Sequence, residues 1–582
     1  MTIESQLEYY LSRIESRHWI LLAVVVLVCA VSLFYTFSKI PVIERIRKNV
    51  NKHVKRIIIE DYKPKANISE LDRSGFFGLF MQNKNYWICT ILTALLCYGF
   101  TLTNATLLTD DLVFDSHYSN NHVKLAVGRW GYLIFRDVLF TFLYLPFWRA
   151  FNGMCLIITG STMYCGLYRK YSGGKFDNKT ATIFTCVAIS FPWIADLFVL
   201  TETTILMGWI FTLAGVSLYF SCKWIIEKKN ALYLIPSSVI LGYATAFYEP
   251  AMVFYLAGGF SLLFLHFLFK EKSGGFSRFL IMSVQFAVIT VLGVIVLRLG
   301  AIFFQYLLSI EPMYYREQLL FHDTSSVWAL IKSVIRFTLS FTRIFIFPPS
   351  DGNTIRMIIW AASVCVVITS FILSVSFKKL SIFLAGAATV VSAYGLYFAL
   401  GILHMLNRNV YTFLLLIAFA SALLYQVIRN IEIKRVKLKY LAVLIVVWLV
   451  LFQSREMNQI IHLDYQRHQR DVMILNTIVH DLGRGREKPV VFVGFIPDTL
   501  PRREFVGVSL FRINRETPWT ELDVFWISGF FRAQGFPLQE PIEFDRDEIC
   551  RYIVDMPSWP QSGYIKELDD YVIVRLGYSY LD

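Results

Sequence analysis

Charged residues are scarce in this sequence, and its cysteines follow no metal-binding or disulfide pattern. Charged side chains make up 17% of the 582 residues, against 56% hydrophobic and 16% aromatic residues. Together with a mean hydropathy of +0.52, this composition excludes an ordinary water-soluble fold. The sequence also lacks internal repeats and low-complexity tracts. A lipid bilayer is therefore predicted to be the main solvent of the chain.

The nine cysteines do not indicate a disulfide framework or a Cys-based metal site, because all but Cys550 fall in or beside apolar runs. Those eight are Cys29, Cys89, Cys97, Cys155, Cys165, Cys186, Cys222 and Cys365.

The net charge of +13 is unevenly distributed along the chain. Residues 454–582 carry 15 Lys and Arg against 20 Asp and Glu, which leaves 41 basic and 23 acidic residues before them. This excess of basic residues lies in short loops, as expected from the positive-inside rule. The charge therefore predicts an orientation in the membrane and argues against a nucleic-acid partner.

Apolar runs near 20 residues recur along the chain, and each can satisfy its own backbone in hydrocarbon only as a helix. The first run has no cleavage-site pattern after it, so we expect a retained span and not a signal peptide. We predict a mainly α, polytopic bundle of about twelve spans: 19–37, 86–103, 151–169, 180–197, 204–225, 231–247, 251–270, 279–304, 355–377, 381–402, 409–428 and 439–453.

Loop composition predicts the orientation. One set of loops reads "KNVNKHVKR", "RKYSGGKFDNK", "EKKN", "KEKSGGFSR" and "RNIEIKRVKLK", and the opposite set contains "TNATLLTDD", "TET", "YEP" and "HMLNRN". The first set is predicted to be cytoplasmic. Both termini and the acidic "TDD" loop then face outside.

Three segments outside the spans are longer than turns. Residues 104–150 and 305–354 are predicted to contain external interfacial helices, with further short spans as the alternative. Lys332 and Arg336 in the second segment are expected to face lipid headgroups. The tail 454–582 has soluble composition, with apolar runs at 489–495 and 571–576 and a helix at 545–556, which predicts a small extracytoplasmic α/β domain. This tail contains no Gly-rich phosphate loop, His/Cys metal spacing or nucleophile elbow.

Ionisable and aromatic residues gather in the outer loops, although their positions in the sequence are far apart. Ionisable groups at membrane depth are costly and usually functional. Arginine suits phosphate and aromatic rings suit sugars, so the mixture points to a phosphorylated lipid and a glycan. The candidates are Asp110, Asp111, Arg129, Trp130, Tyr248, Glu249, His404 and Arg408.

The order of these pieces resembles the GtrII-type glucosyltransferase family of bacterial membrane enzymes that modify O-antigen. An acid pair in the first large outer loop is followed by "GRWG", then by "YEP" and by an Asn-Arg pair at a later helix end. The resemblance covers residues 86–430 and implies a GT-C-like fold. With the predicted spans and the composition of the tail, we divide the chain into an N-terminal span with a basic segment (1–85), a GT-C-like transmembrane transferase domain (86–453) and the tail domain (454–582).

The resemblance also implies a function in the bacterial inner membrane. Hexose, glucose by analogy with the family, would pass from an undecaprenyl-phosphate-linked donor to O-antigen in the periplasm. One carboxylate suffices as base, since the lipid phosphate leaves as a stable anion. We favour Asp111 over Asp110 as this base. Arg408, and after it Arg129, is expected to contact the phosphate. Substrate binding is assigned to Trp130, Tyr248, Glu249 and, more weakly, His404. Direct attack predicts inversion, without cofactor or metal.

Two other functions compete with this interpretation. A lipid-linked oligosaccharide flippase or transporter would also need charges among many helices, but repeated halves and matched broken spans are not seen. An O-antigen polymerase would likewise present external arginines to lipid-linked glycans. A purely structural role is a further alternative for single residues: Asp110 or Asp111 would cap a helix, Glu249 would form a salt bridge between helix ends, and Arg408 would extend its side chain to the membrane interface.

Overall fold

The computed structural model describes most of the predicted membrane region and the centre of the tail. The described residues are 83–104, 106, 124–134, 146–199, 201–271, 275–312, 353–396, 411–429, 432–433, 436–483, 487–496, 509–511, 521–539 and 546–577. The predicted span at 19–37, the interfacial segment around Lys332 and Arg336, and the site candidates Asp110, Asp111, His404 and Arg408 lie outside them.

The described chain is mainly helical. Its helices in the predicted membrane region and on the way into the tail are α1 (Lys84–Thr103), α2 (Trp130–Ile134), α3 (Pro146–Tyr171), α4 (Asn178–Ile189), α5 (Ala195–Val199), α6 (Thr201–Ile225), α7 (Leu234–Phe247), α8 (Pro250–Phe269), α9 (Phe276–Leu307), α10 (Thr354–Phe377), α11 (Leu380–Ala393), α12 (Phe413–Ile428) and α13 (Leu438–Leu482). Short 3₁₀ turns at Pro192–Ile194 and Ala231–Tyr233 precede α5 and α7, and a two-stranded hairpin, β1 (Glu432–Ile433) and β2 (Val436–Lys437), precedes α13.

Each predicted span from 86 onward overlaps a described helix, and 180–197 overlaps two, α4 and α5. Seven of the described helices are long and apolar enough to cross a membrane, and α4 with the Pro192–Phe198 segment makes an eighth candidate bent by 46°. The bend follows from Pro192, since proline removes a backbone donor and cannot continue a helix smoothly. α7, α11 and α12 are shorter apolar helices. A helical membrane bundle fits these features, and the number twelve stays a prediction.

Several polar side chains inside the bundle are paired with one another across helices. The Tyr86 hydroxyl lies 2.8 Å from Thr162 Oγ1 and 3.0 Å from Thr185 Oγ1, which joins α1, α3 and α4. Tyr168 on α3 lies 2.6 Å from Ser261 Oγ on α8. Such bonds suit an apolar medium, because a buried hydroxyl without a partner is costly.

Ion pairs gather the loops predicted to be cytoplasmic at one end of the bundle. Arg429 after α12 lies 2.7 Å from Asp177 before α4, although the two are 252 residues apart. Lys170 at the end of α3 lies 2.9 Å from Glu227 after α6. We call this the basic end, defined by Lys170, Asp177, Glu227 and Arg429. The structure thus groups these loops as the charge pattern predicts, while the side of the membrane stays a prediction.

Helix α13 runs without a break through the predicted domain boundary at 453/454. Its 45 residues extend about 67 Å, more than twice the thickness of a bilayer core. Apolar side chains such as Leu444 and Trp448 are exposed in its first part, whereas Asp464 and Asp471 are buried farther on. The composition of α13 changes at 453/454 because different surroundings contact its two parts. The helical backbone continues through this point.

In the tail, both predicted apolar runs contain strands, and the predicted helix at 545–556 is present. β3 (Val490–Val493) pairs in parallel with β5 (Val572–Arg575), which pairs antiparallel with β4 (Ile565–Glu567). Helices α14 (Glu521–Ala533) and α15 (Arg546–Ile553) accompany this sheet. Side chains from the last part of α13, including Ile474, Leu475 and Ile478, share one buried apolar cluster with β3 and β5. The location of this part outside the cytoplasm stays a prediction.

Candidate functional site

Arg129 is positioned by a tight turn that ends at a glycine. The backbone N–H groups of Gly128 and Arg129 donate to the carbonyls of Leu125 (2.9 Å) and Lys124 (2.8 Å). Gly128 has a φ of 86°, a conformation that favours glycine. From α9, the side-chain amide of Gln305 donates to the Leu125 carbonyl at 2.8 Å and holds the turn against the bundle.

The second glycine of "GRWG" permits close packing. A Cβ atom on Gly131 would lie 3.0 Å from backbone atoms of Tyr243, Ala246 and Phe247 at the end of α7. A side chain there would push α2 away from α7. The two glycines therefore fix Arg129 beside the end of α7.

Tyr248 and Glu249 form a two-residue connection between α7 and α8. Tyr248 has extended backbone angles after the last residue of α7, and Pro250 begins α8. Proline at the first helical position is pre-organised for a helix start. The positive end of the α8 dipole also favours a carboxylate at Glu249.

The Arg129 guanidinium meets the Glu249 carboxylate at this connection. Arg129 Nη2 donates to Glu249 Oε2 at 3.1 Å, and the two side chains are 35% and 51% exposed. The guanidinium carbon lies 4.9 Å from the centroid of the Tyr248 ring, within cation–π range. Burial lowers the pKa of Arg129, but the Glu249 carboxylate opposes this and the net direction is upward. The cation is thus held in its charged form.

Tyr411 completes the arrangement from the loop before α12. Its ring stacks on Tyr248, with centroids 6.2 Å apart and planes 23° apart. Sequence analysis did not single out Tyr411, although an aromatic residue three positions after Arg408 in "NRNVYT" was a signal for it. We call Arg129, Tyr248, Glu249 and Tyr411 the site cluster, and the end of the bundle that holds it the site end.

Trp130 lies next to Arg129 but is directed into the helix packing. Its indole N–H donates to the Leu297 carbonyl at 2.9 Å, and its ring stacks on Phe304 with centroids 5.7 Å apart. A Cβ atom on Gly300 would clash with the indole, so the glycine makes room for it. The side chain is 8% exposed. This packing anchors α2 to α9, and the substrate-binding role predicted for Trp130 is not needed to explain its position.

Three of the predicted site residues, Arg129, Tyr248 and Glu249, are therefore brought together. Asp110, Asp111, His404 and Arg408 lie outside the described residues, so their roles stay predictions. Among the described residues, no group of three or more His, Cys, Asp or Glu side chains is arranged to hold a metal ion. Because the two aspartates are not among them, metal independence also stays a prediction.

The salt bridge suggested as the alternative role of Glu249 is present, and it joins two predicted site residues to each other. A half-exposed ion pair of this kind adds little stability. The pairing is therefore compatible with a binding role for both side chains when a ligand competes for them.

No family model, curated protein or solved structure matches this chain.

Proposed function

We propose that the chain is an integral membrane glycosyltransferase. It moves a hexose, glucose by the GtrII resemblance, from a polyprenyl-phosphate-linked donor to a cell-surface polysaccharide such as O-antigen. The reaction takes place on the periplasmic face of the bacterial inner membrane. The tail, from the predicted boundary at 454, lies on the same side.

The observation that carries the proposal is the site cluster itself. Arg129 and Glu249 are 120 residues apart but meet at one end of the bundle, beside two tyrosine rings. A guanidinium matches a phosphate, a carboxylate accepts bonds from sugar hydroxyls, and aromatic rings suit sugar faces. These are the groups that a lipid-phosphate sugar donor requires.

The acidic loop is within reach of this cluster. Asp111 is 13 residues before Lys124, where the described chain resumes, and an extended segment of that length spans roughly 45 Å. Chain length therefore allows the Asp111 carboxylate to reach the Arg129 guanidinium. The lipid-facing helices supply an apolar surface for the isoprenoid tail, since Leu299, Ile302 and Phe303 on α9 are exposed.

The reaction requires one base and an anion-stabilising group. Asp111 takes the proton from an acceptor hydroxyl, whose oxygen attacks the anomeric carbon from the face opposite the phosphate. The bond between the anomeric carbon and the phosphate oxygen breaks, and polyprenyl phosphate leaves with the bonding electrons. Arg129, with Arg408 as the other predicted contact, stabilises the negative charge on that phosphate. Attack from the opposite face inverts the anomeric configuration.

A transfer assay tests the proposal. Wild-type protein in proteoliposomes is given labelled polyprenyl-phosphate glucose and a lipid-linked O-antigen acceptor. We expect transfer with inversion, and a loss of about 100-fold or more in Asp111→Asn because a general base is removed. Glu227→Gln at the basic end is the matched control and should keep wild-type activity.

The possible results separate the alternatives. Full activity in Asp111→Asn with loss in Asp110→Asn would identify Asp110 as the base. Full activity in both variants would refute the proposed mechanism. No transfer by the wild-type protein, combined with transbilayer movement of the donor, would favour a flippase. Joining of acceptor units to one another would favour a polymerase.

A further inference from the structure

The Tyr411 hydroxyl is an exception among the buried tyrosines of the bundle. Tyr411 is 0% exposed, and its hydroxyl has no hydrogen-bond partner in the part of the chain that the structure describes. The hydroxyl groups of the other fully buried tyrosines all have partners: Tyr86, Tyr98, Tyr164, Tyr168, Tyr171 and Tyr255. A buried polar group without a partner is costly. Among the described residues, nothing offsets that cost for the Tyr411 hydroxyl.

The position of this hydroxyl ties it to the site cluster. The Tyr411 ring stacks on Tyr248, over which the Arg129 guanidinium also lies. Tyr248 thus contacts both the Tyr411 ring and the cation that an anion would approach, which puts Tyr411 one ring away from Arg129.

The charges of the pair favour exchange with a phosphodiester. Arg129 carries one positive charge, which Glu249 neutralises in the structure at an N–O distance of 3.1 Å. A sugar-phosphate diester also carries one negative charge and presents two non-bridging oxygens. It can replace the carboxylate as the partner of Arg129, and it offers a further oxygen to a second donor.

We propose that the Tyr411 hydroxyl is a phosphate-binding group, which donates to a non-bridging oxygen of the donor lipid when that phosphate displaces Glu249 from Arg129. This inference rests on the proposed function and deepens it. The displaced Glu249 carboxylate is then free to accept bonds from sugar hydroxyls. In the absence of ligand, Glu249 holds Arg129 in place, and the Tyr411 hydroxyl has no partner among the described residues.

Binding to Tyr411→Phe tests the inference, because this change removes the hydroxyl and keeps the stacked ring. Tyr255→Phe is the matched control, since the buried Tyr255 hydroxyl lies 2.7 Å from Ser221 Oγ. Full-length variants in nanodiscs are titrated with a polyprenyl phosphate and with polyprenyl-phosphate glucose. Their thermal unfolding without ligand is measured as well.

We expect Tyr411→Phe to unfold at the wild-type temperature or above it, because a buried hydroxyl without a partner is removed. Tyr255→Phe should unfold at a lower temperature. Tyr411→Phe should bind both lipids about 10- to 100-fold more weakly than wild type, which is the expected effect of losing a hydrogen bond to a charged group. Tyr255→Phe should bind both like the wild-type protein.

Other results would overturn the inference. If Tyr411→Phe binds both lipids as tightly as the wild-type protein does, the hydroxyl has no ligand-binding role. The proposed function would stand in that case, because the wild-type protein still binds the lipids. Weaker binding of the glucosylated lipid alone would assign the hydroxyl to the sugar. Destabilisation of Tyr411→Phe as large as that of Tyr255→Phe would show a partner in the resting protein. A wild-type protein that binds neither lipid would refute the proposed function, and the inference with it.

Discussion

Arg129 and Glu249 come from different loops, and their charged groups meet 3.1 Å apart at the site end of the bundle. The contact depends on a glycine turn before α2 and on a two-residue connection between α7 and α8. Neither side chain is deeply buried, so the pair remains open to exchange with a ligand of the same charge. This relationship links the fold to the proposed chemistry.

A charge-reversal experiment separates the structural role of the pair from its chemical role. Arg129→Glu or Glu249→Arg alone places like charges together and should lower stability by about 1 kcal/mol or less, given the exposure of both groups. The double variant should recover that stability but not sugar transfer, because the guanidinium and carboxylate have changed places. Thermal unfolding and the transfer assay are measured on all three variants. Transfer at the wild-type rate by the double variant would reduce the pair to a structural contact.

Gly131→Ala should disturb the site through packing alone. The new methyl group would lie 3.0 Å from backbone atoms at the end of α7, and overpacking of this kind costs about 1–3 kcal/mol. The loss should appear as a lower unfolding temperature and slower transfer. Gly99→Ala on α1 is the control, since a Cβ atom there meets nothing within 4 Å. Equal behaviour of the two variants would show that α2 does not need close contact with α7.

Thiol labelling tests the predicted sides of the membrane. Glu249→Cys at the site end should react with a membrane-impermeant maleimide in right-side-out vesicles, because the positive-inside rule places this end outside. Lys229→Cys beside the basic end should react only after the vesicles are opened. Lys229 is 50% exposed, so access through solvent is not limiting. If labelling above the wild-type background follows the reverse pattern, the topology is opposite to the predicted one, and a reaction on the periplasmic face is excluded.

The part of α13 beyond the predicted span contains two buried groups with opposite pH effects. Burial raises the pKa of Asp471 from 3.8 to about 6, although Ser509 and the Leu510 N–H donate to its carboxylate. Burial lowers the pKa of His468 from 6.5 to about 4. As the pH falls from about 6 to 4, protonation of Asp471 in the folded protein adds stability, whereas the cost of keeping His468 neutral removes it. The two effects should nearly cancel in the wild-type protein.

Asp471→Asn should expose the effect of His468. Its free energy of unfolding should fall, relative to wild type, by up to about 1.4 kcal/mol per pH unit between pH 6 and 4. Unfolding temperatures across this range provide the measurement, with the exposed Asp555→Asn as control. A wild-type pH profile in Asp471→Asn would mean that Asp471 has the same pKa in the folded and unfolded chain.

Much of the helix arrangement could be predicted from the sequence, because each span near 20 apolar residues has only one way to satisfy its backbone in hydrocarbon. The bend at Pro192 and the continuity of α13 through 453/454 were missed. A hydropathy window reports the solvent that a segment prefers, and a backbone can bend or continue without a change in that preference. The apolar runs at 489–495 and 571–576 contain β3 and β5, since short apolar runs between polar segments favour strands.

The site was only partly predictable. Residue type and helix ends were enough to select Arg129, Tyr248 and Glu249, whose convergence the structure shows. The opposite orientations of Arg129 and Trp130 depend on Gly300 in α9, and no local pattern reports such a distant contact. Tyr411 was missed for a related reason: the role proposed for it depends on a hydroxyl that has no partner among the described residues, which is a property of its surroundings and not of the sequence around it.

Photo-crosslinking of the donor is the most direct test of the central claim that a polyprenyl-phosphate sugar binds at the site end. A lipid with a photoreactive group next to its phosphate is bound to the wild-type protein in nanodiscs, irradiated, and the adducts are mapped by mass spectrometry. We predict adducts in 105–134, 247–250 and 404–411, and competition by polyprenyl-phosphate glucose. Competed adducts confined to the basic end, in 170–178 and 226–231, would contradict the account.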